Sequence, residues 1–145
     1  MIVIRKFKGL AALEMLFVLP ILLLLLVTIF ELGRMFVQYT SLNKALQNGV
    51  RSAVNETYGT QRLSDIADLD YIKSVVVYGN DEFSATGDAV LPGFSVSDVL
   101  VDSSVSGYVT VTANYDYVPI YNTMPIIGTS FNVTMTASTI MRTSP

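Results

Sequence analysis

The chain has neither cysteine nor histidine. Without cysteine, disulfides contribute nothing to its stability, and thiols say nothing about its redox compartment. Without histidine, the commonest general base and the commonest metal ligand are both missing. No serine, threonine or lysine can be backed by a histidine, so hydrolases of that kind are excluded, while carboxylate chemistry stays open. The glycine-rich dinucleotide and phosphate-loop patterns are also absent. No cofactor is expected.

Acidic charge is missing from the N-terminal end of the chain, and basic charge is in deficit over the rest. Before Leu10 stand Arg5, Lys6 and Lys8 with no acid. After Phe30 there are six basic residues against eleven acids, an acidic excess of five. A nucleic-acid partner calls for a basic footprint and is not expected here. The asymmetry fits the rule that the basic flank of a membrane segment stays in the cytoplasm.

Charge is also missing from Met15 to Phe30, which reads MLFVLPILLLLLVTIF. Counting back to Leu10 gives a run of 21 residues interrupted only by Glu14. At 1.5 Å per residue such a helix is about 30 Å long, the thickness of a bilayer core. A cleaved secretory signal fits less well. The run is long, and Glu31-Leu32-Gly33-Arg34 follows it with no small-residue cleavage pattern. Pro20 lacks an amide proton and is read as a kink of the kind membrane helices tolerate.

Glu14 has two readings. A carboxylate inside a membrane helix costs about 2.5–3.5 kcal/mol on insertion scales, so Glu14 either lies at the headgroup boundary or has a partner. A cut after Gly9 would give Leu10 a new α-amino group one helical turn before Glu14. The amine and the carboxylate could then pair, within one subunit or between neighbours in a helical stack.

From Leu32 onward the apolar residues Leu32, Phe36, Tyr39, Leu42, Leu46, Gly49 and Ala53 recur at three- and four-residue spacing. Arg34, Gln38, Ser41, Lys44, Asn48, Arg51 and Asn55 fall opposite them. This is an amphipathic helix by period. One helix is expected from about Leu10 to Asn55, with Gly59 as its stop. Ser64 to Ile72 is read as a short helix or turn. Lys73 to Tyr78, with Val75, Val76 and Val77 in succession, is read as a strand, and Gly79 to Pro92 as a loop. Phe94 to Asp102 alternates loosely. Gly107 to Val118 and Phe131 to Met141 alternate apolar with polar and read as strands, joined by a loop that Pro119 and Pro125 bound. Tyr115 and Tyr117, with Tyr121, are expected to cover the helix stripe. The fold class is α+β, a long N-terminal helix packed on a small antiparallel sheet. The chain divides into segments 1–9, 10–31, 32–55 and 56–145.

Two acidic clusters, Asp65, Asp68 and Asp70, then Asn80, Asp81, Glu82 and Asp88, lack the spacing of a calcium loop. They are read as solvated turns, and no metal site is expected.

Lys6-Phe7-Lys8-Gly9, Leu10-Ala11-Ala12-Leu13-Glu14, Pro20 and the leucine run resemble a class of type IV pilin-like precursor. Leu19-Pro20-Ile21-Leu22-Leu23, Glu31-Leu32-Gly33-Arg34, and Ala45 to Ala53 with Gly49 and Arg51 narrow the resemblance to TadE-like proteins, minor pseudopilins of the tight-adherence pilus system. Val109 to Thr112, Tyr115, Pro119 and Thr134 to Arg142 also resemble that family. Met15 and Phe17 depart from it, both with apolar side chains. The resemblance implies a non-enzymatic subunit with a basic leader of Arg5, Lys6 and Lys8, cut between Gly9 and Leu10 by a prepilin peptidase. Glu14 would serve assembly. The implied partners are that peptidase, other pilins and pseudopilins, the inner-membrane assembly machinery and the lipid bilayer. The implied location is a single-pass inner-membrane position with the N-terminus in the cytoplasm, followed by entry into a pilus that acts in surface adhesion. The alternatives are an uncleaved membrane-anchored binding protein and a small tethered enzyme using carboxylates.

Overall fold

The computed structural model describes residues 8–59, 68–79, 88–105, 107–120, 128, 130 and 132–142, with side chains from Leu10 to Asn55 in the first stretch. Arg5, Lys6, Asp65, Asn80, Asp81, Glu82, Tyr121, Pro125 and Phe131 lie outside the described residues.

Helix α1 runs over Lys8–Gly59, 52 residues, with Pro20 inside it. Its length is about 78 Å at 1.5 Å per residue. The lower part matches a membrane span by length and composition, and none of its most apolar window is buried. Thr28 turns its hydroxyl back onto the carbonyl of Leu24 at 2.9 Å. That bond keeps a polar atom satisfied within an apolar stretch.

Helix α2, Leu69–Tyr78, follows. It overturns the reading of Lys73 to Tyr78 as a strand. Three adjacent valines suggest β-structure by propensity, but Ile72, Val75 and Val76 lie at i, i+3 and i+4 and all three are buried. Local chemistry also closes both ends. Asp68 caps the N-terminus by accepting from the Asp70 amide at 3.3 Å. Gly79, at φ 74°, caps the C-terminus through its amide to the Val75 carbonyl at 2.9 Å. Packing of the valines against α1 outweighs their weak helix propensity.

A 3-10 turn at Val96–Asp98 leads into β1, Val99–Asp102. Strands β2, Tyr108–Asp116, and β3, Thr134–Arg142, complete an antiparallel sheet of order β1-β2-β3. Both longer strands fall where the alternation put them. Val109, Val111, Ala113 and Tyr115 of β2, with Met135 and Ala137 of β3, point inward. On the other face polar pairs follow the register. Thr134 donates to Asp116 at 2.7 Å, Thr136 donates to Asn114 at 2.8 Å, and Thr112 meets Ser138 at 3.0 Å.

The core lies between this sheet, α2 and the upper part of α1. Leu42, Leu46, Val50 and Ala53 meet Ile72, Val76, Phe94, Val111 and Tyr115 there. Phe94 and Tyr115 stack edge to face, 5.8 Å apart and at 89°. Gly49 lets α2 approach, since a Cβ at that position would collide with a methyl of Val76.

Candidate functional site

The buried stripe of α1 follows the expected residues only above Leu42. Below it Leu32, Phe36 and Tyr39 are exposed. Glu31 and Gln38, only 1% and 8% exposed, face the sheet instead. The reason is period. Glu31, Gln38 and Ala45 are spaced by seven, so all three continue one face of a helix with 3.6 residues per turn. The geometry brings two polar side chains against the lower end of the sheet, where hydroxyl groups meet them.

Tyr117 donates to Glu31 Oε1 at 2.7 Å, and the Ile120 amide donates to the same oxygen at 3.1 Å. Glu31 Oε2 is buried and has no hydrogen-bond partner among the described residues. One level higher, the Tyr115 hydroxyl lies 2.9 Å from the Pro92 carbonyl and 3.2 Å from Gln38 Oε1. A hydroxyl carries one hydrogen, so it serves these acceptors alternately. The pairs Glu31–Tyr117 and Gln38–Tyr115 fix a direction. As α1 rises from 31 to 38, the sheet strand runs from 117 back to 115. The end of β2 is therefore the end of the domain nearest the apolar part of α1.

Burial pushes the Tyr117 phenol up to about 12, helped by its hydrogen bond to Glu31 and by the nearby Glu31 charge, with Arg34 opposing. Tyr115 is also raised by burial, against the Val118 backbone and Arg34.

The residues singled out by sequence lie lower on α1. Gly9 and Leu10 are in its first turns, the latter with an exposed side chain, as is Glu14 one turn on. Lys8 is placed by its backbone only. Nothing among the described residues joins Glu14 to Glu31, which stands 17 positions further along the helix. Sequence reasoning passed over Glu31 and put Gln38 on the face opposite the stripe, because it followed apolar residues alone; the structure buries Gln38 against the sheet instead. The seven-residue spacing with Ala45 was the available signal.

Among the described residues no group of three or more acids is placed to hold a metal ion. Three of the described acids, Asp68, Asp98 and Asp102, accept from backbone amides close in sequence. Asp98 accepts from the Ser95 amide and hydroxyl at 2.9 and 2.7 Å. Asp102 accepts from the Ser104 amide at 2.8 Å, and hydrogen bonds from Ser104 hold its carboxyl below its usual value. A recess of about 480 Å³ opens where β2 ends and β3 begins, lined by Asp116, Tyr117, Val118, Pro119, Asn132, Val133 and Thr134. Its one carboxylate, Asp116, already accepts from Thr134, so the recess offers no acid–base pair.

Residues 9–51 match the family model described as TadE-like protein. The match begins at Gly9, spans the apolar run and includes Glu14, Glu31, Gln38 and Gly49, but stops before the sheet. No curated protein and no solved structure matches the chain. Over residues 9–51, therefore, this chain is similar to TadE-like proteins.

Proposed function

We propose that this chain is a minor pilin-like subunit of a tight-adherence pilus. The observation that carries the reading is the coincidence of the TadE-like match at 9–51 with one uninterrupted helix, whose lower part is apolar and exposed. That helix would hold the subunit in the inner membrane and later pack among other pilins. Its work would be done by packing and electrostatics. Arg5, Lys6 and Lys8 would stay in the cytoplasm, and the sheet region would stand outside. A prepilin peptidase would cut between Gly9 and Leu10, and the new amine of Leu10 would lie one turn from Glu14. The remaining partners are other pilins and pseudopilins and the inner-membrane assembly machinery.

N-terminal sequencing of the membrane-extracted protein tests this. A mature chain beginning at Leu10 is expected, and a bulky residue in place of Gly9 should leave the longer precursor. Met1 found intact, in cells with a working peptidase, would favour a permanently anchored binding protein instead.

A further inference from the structure

Single exposed apolar residues are ordinary on protein surfaces. Four on this molecule are distinguished by their level. Val118, Ile120 and Val133 are 46%, 51% and 43% exposed, and Leu32 on α1 is 45% exposed. The hydrogen bond from the Ile120 amide to Glu31 Oε1 fixes the first two at the height of Glu31. The amide of Tyr117 donates to the Val133 carbonyl at 2.9 Å and brings the third alongside. Glu31 is the residue directly after Phe30, the last of the apolar run. If α1 crosses a bilayer through that run, this rim stands within the polar boundary layer, roughly 5–8 Å deep on each side of the core.

The chemistry of the rim suits that layer. The one acid on α1 at this height, Glu31, is turned inward and covered by Tyr117. Arg34 lies one turn higher, half-buried. Asp116 marks the upper edge of the patch, two strand positions from Val118, about 7 Å further out. Below that edge the described surface carries Val118, Ile120 and Val133, with exposed Asn132 next to Val133, a mixture of apolar and uncharged polar side chains that suits the boundary layer.

We infer that Val118, Ile120 and Val133, with Leu32, form a second lipid contact, which seats the lower rim of the sheet domain in the headgroup–acyl boundary of the outer leaflet. The contact rests on the reading of α1 as a membrane anchor. It places the domain against the bilayer rather than clear of it, with the Glu31 carboxyl already covered by Tyr117.

The absence of natural cysteine makes the test direct. Full-length Val118→Cys, Ile120→Cys and Val133→Cys proteins are labelled with a small environment-sensitive fluorophore and placed in phosphatidylethanolamine–phosphatidylglycerol vesicles. Leu25→Cys reports on the span. Leu100→Cys, another exposed apolar site far up the sheet, reports on the rest of the domain. Nitroxide lipids labelled near the headgroup should remove at least half the signal from the three rim positions and little from Leu100→Cys. Rim labels that behave like Leu100→Cys, while nitroxides deep in the acyl chains quench Leu25→Cys, would overturn the lipid contact and leave the anchor standing. Rim labels reached by neither nitroxide lipid nor aqueous iodide would show a protein cover and would also overturn it. A Leu25→Cys label untouched by deep nitroxides would remove the anchor, and the lipid contact with it.

Discussion

At the scale of the residue, Glu31 and Tyr117 tie the lower end of the sheet to the helix. A buried carboxyl keeps its place only while donors reach it. Tyr117→Phe deletes the shorter of the two described bonds to Glu31 Oε1. The variant should lose about 1–3 kcal/mol of stability, because the Glu31 carboxyl stays buried with the Ile120 amide alone. Thermal unfolding of the detergent-solubilised chain, followed by near-ultraviolet circular dichroism, measures the loss. The phenol also gives a pH signature. Its pKa rises from 10.0 to about 12 on folding. Below pH 10 both states hold the proton and the full stability is present. Between 10 and about 12 the unfolded chain releases its proton first, so stability falls as pH rises. In Tyr117→Phe that part of the alkaline decline should be missing. At this scale the sequence was only partly legible. The inward turn of Tyr115 and Tyr117 followed from strand alternation. Their acceptors did not, since Glu31 and Gln38 are polar residues on a face sought among apolar ones.

At the scale of the element, α1, β2 and β3 could be read because their periods are long and clear. Nine residues of alternation in β2 leave little room for another reading. Helix α2 could not be read the same way. Its ten residues span fewer than three turns, and three contiguous valines mask the helical spacing of Ile72, Val75 and Val76. The flanking signals, Asp68 before it and Gly79 after it, were the better guide. The contact of α1 with α2 turns on Gly49. Alanine in a helix is ordinarily about 1 kcal/mol better than glycine. Here a Cβ would collide with the Val76 side chain, which is fully buried and, being β-branched in a helix, has one strongly preferred rotamer. The clash should win, and Gly49→Ala should destabilise by about 1–3 kcal/mol. Val76→Ala added to Gly49→Ala should recover part of that loss. A double-mutant cycle of denaturation midpoints checks the coupling, and additive losses would remove Gly49 from the account.

At the scale of the whole molecule, the split between an apolar lower helix and a mixed upper domain was legible from composition alone, because lipid and water select opposite residues over long stretches. How the sheet sits on the helix was not, because it depends on two long-range tyrosine contacts that no local pattern encodes. Protease added to spheroplasts should digest the sheet region of the intact protein. Protection until lysis would reverse the proposed orientation. Glu14→Ala should leave membrane insertion and removal of the leader unharmed, since it deletes a costly carboxylate and touches neither Gly9 nor the basic leader. Surface pili should be lost in a deletion strain expressing it, and normal piliation at normal abundance would deny Glu14 an assembly role. The length of α1 has a mechanical consequence. Above Pro20 no proline interrupts the helix, and its upper turns are part of the core. The sheet is thus fixed to α1 as a flag to a mast. Turning the mast by one residue about its axis would swing the flag through about 100°. In a subunit of the proposed kind, the helix face that neighbours grip would set the compass bearing of the domain, so a change of partner low on the helix would redirect what the subunit presents far above it.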